Sequence, residues 1–287
     1  MRNKFYDAEK YFEKAIDSDS NLKNEIDKFR KKLGDEYVRY ADLYNGSDDE
    51  TSRRMLIKGL QYSGGHPVLE KRLNQMADLI LKSVNSSLEA CNLQASESTV
   101  SNANASGSVN GSKEQQKIHT DTQLKDARIK LERWIDDIEK HPFLNKILTA
   151  HTIGKFHRLN GTMLARENNF IKAVEKFDKA LFFVDDNPEY YLLKADACFA
   201  VNDYENGINA LNKAVKLDVK YAVYWENMGD NLADQGKFND AIAAYEQFFA
   251  ASSENKMVLK KISQCFVGLG QLQAAKDILI ELKRLCG

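Results

Sequence analysis

Between Gly154 and Gly287 the chain returns to the same kinds of residue every thirty-four positions. A small-residue series runs Gly161, Ala195, Gly229 and Ser263, and a second runs Ala173, Gly207, Ala241 and Ala275. A bulky series runs Phe170, Tyr204, Phe238 and Leu272, and another Phe177, Leu211, Tyr245 and Leu279. A fixed period of this length marks a repeated two-helix unit. One hairpin cannot bury both of its apolar faces alone, so the units must stack on one another.

The third unit carries Trp225, Met228-Gly229, Gly236-Lys237-Phe238, Ala241 and Tyr245 in sequence. That order resembles the tetratricopeptide repeat, with Phe248 standing where the family places an alanine. The resemblance covers four units, 154–187, 188–221, 222–255 and 256–287, a little under half of the chain. It implies a right-handed superhelix of helical hairpins whose concave groove is lined by the first helix of each unit.

Composition agrees with an all-α chain. Only three prolines occur, in His66-Pro67, His141-Pro142 and Asn187-Pro188, each where a helix can begin. Hydrophobic residues at 43% supply a core, and 41 Lys and Arg against 42 Asp and Glu leave no global field for nucleic acid or an anionic membrane. The local cluster Lys28, Arg30, Lys31 and Lys32 is the basic patch that stands out. Cys91, Cys198, Cys265 and Cys286 are too scattered for a disulfide framework, and no apolar run reaches membrane-spanning length. A cytoplasmic protein is the expectation.

Upstream of the clear repeats, Phe5, Ala8, Phe12 and Ala15 reproduce the spacing of a repeat's second helix. Helical patterns follow over Leu22–Tyr44, Ser52–Tyr62 and Pro67–Val84, so residues 1–84 read as a degenerate hairpin lobe of the same kind. The composition from 85 to 117 turns to Ser, Asn, Ala and Gly, which predicts a flexible linker. Residues 118–153 return to helix as a lead-in to the repeats. The expected architecture is thus a tetratricopeptide-type α-α solenoid in two helical lobes joined by that linker.

No catalytic, cofactor or metal constellation emerges. Gly107 to Lys113 is too short between its glycines for a phosphate loop, and its Lys does not follow the second glycine directly. His66 and His141, each before a proline, fit solvated roles at helix starts, while Cys198, Cys265 and Ser263 fall at packing positions. The reading is a non-enzymatic protein.

With the family geometry, the groove would be lined by Lys155, Arg158, Thr162 and Arg166 from the first unit and by Leu192, Leu193, Asp196 and Phe199 from the second. Glu226, Asn227, Asp230 and Asp234 follow from the third, with Lys260 and Lys261 from the fourth. Some family members clamp a chaperone's carboxy-terminal carboxylates with Lys, Asn and Arg. Here the matching positions include Leu193, which cannot donate, or Asp196, which would repel, so no chaperone tail of that type is expected. A scaffold or adaptor that holds a protein partner's peptide segment, with an apolar anchor near Leu193 and Phe199 and a basic group toward the acids, is the leading function. A structural protein that self-assembles through the apolar surface near Ile278 to Leu282 is the alternative, ahead of an enzyme with a site between the lobes.

Overall fold

The structure is a computed structural model that describes residues 22–44, 48–101, 110–252 and 255–286, together with Lys14 and Gly46. Apart from Lys14, the half-repeat expected at 5–16 lies outside the described residues. Among the described residues there is helix and no strand. The helices are α1 (Leu22–Tyr44), α2 (Asp49–Ser63), α3 (Pro67–Ser101), α4 (Asn110–Lys140), α5 (Leu144–Ile147), α6 (Ala150–Arg166) and α7 (Phe170–Phe183). They continue as α8 (Pro188–Ala200), α9 (Tyr204–Leu217), α10 (Val223–Asp234), α11 (Phe238–Ala251), α12 (Val258–Gly268) and α13 (Leu272–Cys286). The chain forms two compact units, Met1–Asn160 and Gly161–Gly287.

In the first unit α1 packs on α2, α2 on α3, and α3 on α4. Close approach of α1 and α2 depends on small residues, since a Cβ at Gly59 would stand 2.6 Å from Cβ of Tyr37. Beside it, the buried Ser52 hydroxyl donates to the Ala41 carbonyl at 3.0 Å. Trp134 of α4 is fully buried and stacks on Phe156 at 5.4 Å between centroids. Arg53 of α2 lies over the same indole, and its Nε donates to Asp137 Oδ2 at 2.8 Å. Because Arg53 is only 5% exposed, this pair fixes the register of α2 against α4.

The stretch assigned to a linker on composition is helical where it is described. α3 continues to Ser101 and α4 begins at Asn110, while 102–109 lie outside the described residues. Leu81, Val84 and Leu88 are all buried at helical spacing, so the apolar stripe of α3 runs past residue 85. Ser and Asn are tolerable on the solvent side of such a helix. The division between compact units falls at Asn160 rather than within 85–117.

The second unit shows the period in its backbone. Each hairpin turns at one left-handed residue, Asn168 (φ 60°), Asn202 (φ 61°), Gly236 (φ 74°) and Gly270 (φ 74°), all thirty-four apart. After each, the next amide reaches back to a carbonyl of the first helix: Asn169 to Leu164, Asp203 to Cys198, Lys237 to Leu232 and Gln271 to Phe266, every one at 2.9 Å. This is the bond that closes a helix on a left-handed residue, and it favours Gly or Asn there. The fourth turn therefore centres on Gly270.

Neighbouring helices then pack in order, α7 with α8, α8 with α9, α10 with α11, α11 with α12, and α12 with α13. A Cβ at Gly161 would lie 2.7 Å from Cε1 of Phe177, and one at Gly229 would lie 2.4 Å from Cε1 of Tyr245. The two periodic series are thus halves of one contact between the helices of a hairpin. Phe248, the departure from the family alanine, is buried in the core with Trp225, Tyr245 and Val258. Cys265 is buried there as well, Cys198 is buried in α8, and burial pushes both thiols up.

Candidate peptide-binding face

The first helices of the repeats in the second unit, α8, α10 and α12, carry most of the residues expected to recognise a partner. The start of α8 follows from capping. Asn187 Oδ1 accepts from the Glu189 amide at 2.9 Å, with Pro188 in the first turn of α8. On α8, Leu192 is buried and belongs to the core, and Leu193 is half-buried against Leu164, Ala173, Phe177 and Ala197. Phe199 turns inward as well. A Cβ at Gly207 would stand 2.4 Å from its Cε1, so the ring fills space that Gly207 leaves in α9. The apolar anchor foreseen at Leu193 and Phe199 is thus largely engaged in holding the hairpin together.

Asp196 differs. It is exposed and makes no ion pair among the described residues, and partial desolvation by its neighbours pushes its carboxyl up. Tyr224 of α10 stands in the same neighbourhood. Its hydroxyl is pushed up by burial and then by the negative charges of Asp196 and Glu189. An unpaired carboxylate, a phenol and a second carboxylate therefore share one face of α8 and α10.

The acids of α10 are in part already neutralised. Lys261 of α12 reaches Glu226 Oε1 at 2.9 Å and both oxygens of Asp230 at 2.8 Å, while its Nζ lies 5.7 Å from the centroid of Tyr245. The Tyr245 hydroxyl of α11 donates to Asp230 Oδ1 at 2.7 Å. Burial works against ionisation of Asp230, but the bonds from Lys261 and Tyr245 outweigh it and leave the carboxyl lowered. Burial and the bond to Asp230 push the Tyr245 hydroxyl well up. Glu226, Asp230 and Lys261 are brought together as an internal knot between neighbouring repeats. Asn227, Asp234 and Lys260 stay exposed outside it.

The remaining expected residues lie elsewhere. Thr162 is half-buried and Arg166 exposed at the end of α6. Lys155 and Arg158 belong to the first unit, where Arg158 Nη2 donates to Asn85 Oδ1 at 3.5 Å. Tyr224 and the Tyr245 hydroxyl escaped the sequence reading, because period and spacing present both only as apolar bulk. Among the described residues no group of three His, Cys, Asp or Glu is placed to hold a metal ion, and no helix is long and apolar enough to cross a membrane.

Stacked helical hairpins of thirty-four residues, closed by a left-handed residue and packed with a small residue against a bulky one, define an α-helical repeat fold. Models of the family "Tetratricopeptide repeat" match residues 188–220 and 227–279, so the second unit carries tetratricopeptide repeats. It is 24% identical over 104 residues to the "Small glutamine-rich tetratricopeptide repeat-containing protein 2" of Mycosarcoma maydis. That match covers 36% of this chain and only 29% of the relative's length. Similar solved structures include "Crystal structure of MamA", at 18% identity and a TM-score of 0.39, covering 59% of this chain and 92% of that one. Another is "YrrB: a TPR protein with an unusual peptide-binding site", at 15% identity and 0.35, covering 58% and 83%.

Proposed function

We propose that this chain is a non-catalytic interaction scaffold whose second unit binds a peptide segment of a partner protein on the face of α8 and α10, with a Lys or Arg of the peptide set against Asp196. The observation that carries this reading is Asp196 itself. It is an exposed carboxylate on a first helix that forms no ion pair among the described residues, which leaves it open to a partner's cation. Glu189 adds a second negative charge, and Tyr224 offers an aromatic face for the same cation. The knot at Lys261 leaves Glu226 and Asp230 to hold the array together, and Asp234 is the remaining acid of α10 open to a ligand.

The test is selection of a random peptide display library on the full-length protein. Peptides enriched in Lys or Arg at one fixed position are expected with the natural chain, and the same enrichment is expected to vanish on Asp196→Lys. Selection of an unchanged peptide set by Asp196→Lys would refute the reading.

A further inference from the structure

The first unit contains a second candidate site, built where α1 passes the α2–α3 turn. A cavity of about 350 Å³ is lined by Asp27, Arg30 and Lys31 of α1 and by Ser63, Gly64, Gly65, His66 and Pro67 of the turn and the start of α3. Two of the lining side chains are buried with an unpaired polar atom. Ser63 and His66 are each 6% exposed, and neither Ser63 Oγ nor His66 Nδ1 has a hydrogen-bond partner. Leaving such groups unpaired is costly, which makes a pair of them on one cavity wall an uncommon arrangement.

The sequence alone placed His66 as a solvated residue before a proline. Instead its ring is held against α1, so close to Gly34 that a Cβ there would stand 2.4 Å from Cδ2. Its Nε2 lies 3.4 Å from Asp35 Oδ1, which orients the ring and leaves Nδ1 on the other side. Arg30 and Lys31 form no ion pair among the described residues, and the Arg30 guanidinium lies 3.8 Å from where a Gly64 Cβ would be.

We propose that this cavity binds a phosphate group, with Arg30 and Lys31 supplying charge and two buried donors supplied by the Ser63 hydroxyl and by His66 in its doubly protonated form, Nε2–H toward Asp35 and Nδ1–H toward the ligand. Four side-chain donors from two helices and a turn suit a tetrahedral oxyanion better than a planar carboxylate. Asp27 on the rim, Asp35 against His66 Nε2 and Glu70, whose Oε1 lies 3.4 Å from where a Gly65 Cβ would be, are the negative charges that the ligand meets besides the two cations. The space exceeds what a bare phosphate fills, so the fitting ligand is a phosphomonoester whose carbon body occupies the rest.

Amide NMR of the full-length chain at low salt tests the site, with inorganic phosphate, a phosphoserine peptide and its unphosphorylated form as probes. Saturable shifts at Ser63, Gly64 and Gly65 are expected below roughly 20 mM phosphate, the range of a weak anion site. The double variant Arg30→Glu, Lys31→Glu changes one half-buried and one exposed residue and is expected to bind at least about tenfold more weakly with an unchanged circular dichroism spectrum. Ser63→Ala is expected to weaken binding while leaving the cations in place. Tighter binding of the phosphoserine peptide than of phosphate identifies a modified protein as the source, and equal binding identifies the free anion. Absence of saturable shifts, equal response to the unphosphorylated peptide, or full retention of binding by the double variant would overturn the proposal.

Discussion

Phe177 closes over Gly161 so tightly that a single added methyl at Gly161 would stand 2.7 Å from its Cε1. The two residues are sixteen apart, and the same offset joins Gly229 to Tyr245. Where the second helix offers only Leu211, the first carries Ala195. Volume is therefore balanced pair by pair. Gly161→Ala is expected to destabilise the second unit by about 1–3 kcal/mol through overpacking, despite the better helix propensity of alanine. Combining it with Phe177→Leu, which copies the natural Ala195 and Leu211 pair, should recover part of that loss. A double-mutant cycle by chemical denaturation measures the coupling, and strictly additive losses would contradict the pairing.

The hairpin turns give a prediction of opposite sign. Asn168 and Asn202 hold left-handed φ values where Gly236 and Gly270 stand in the later repeats. Asn168→Gly and Asn202→Gly should each leave stability unchanged or raise it by up to about 1 kcal/mol, whereas Gly236→Ala should cost about 1 kcal/mol. Thermal melts of the single variants check the signs.

In the first unit, Asp137→Ala would leave the guanidinium of Arg53 buried without its carboxylate. A loss of about 3–5 kcal/mol is expected. Hydrogen exchange should show it in α2 and α4, with little change in the second unit.

The knot between repeats should show in the pH dependence of stability. Asp230 has a lowered carboxyl in the folded chain, so its contribution is present above the ordinary aspartate value of 3.8 and is lost as pH falls through the lower folded value. Asp230→Asn should therefore be less stable than the natural chain at neutral pH, by about 1 kcal/mol after allowance for its exposure to solvent. The gap between the two should narrow as acid protonates Asp230. Melting temperatures of both proteins across the acid range provide the comparison. The contribution of Tyr245 has the reverse sense, present below its ordinary value of 10.0 and lost only at more alkaline pH.

Much of this fold was legible in the sequence because a period of thirty-four constrains many positions at once. The small and bulky series marked both sides of the helix contact, and the turns fell where Asn and Gly recur. Single residues inside that frame were harder to place. Phe199 lies on a first helix, so period alone assigned it to the groove, while the space that draws it inward comes from Gly207 eight residues later. Lys261 looked like a free cation because its partners Glu226 and Asp230 belong to the preceding repeat, and exposed charges have many sterically acceptable partners. The helix past residue 85 was hidden by its own solvent face. Ser and Asn dominate there, and the buried stripe that carries the helix onward is Leu81, Val84 and Leu88.

The central claim is that recognition lies on the first helices of the second unit and turns on Asp196. Amide NMR of the full-length chain titrated with a peptide selected from the library tests it most directly. Shifts are expected on α8 and α10, centred on Glu189, Asp196 and Tyr224, and they should disappear when the peptide's conserved Lys or Arg is replaced by Ala. Shifts confined to α9 and α11, or unchanged by that replacement, would contradict the account.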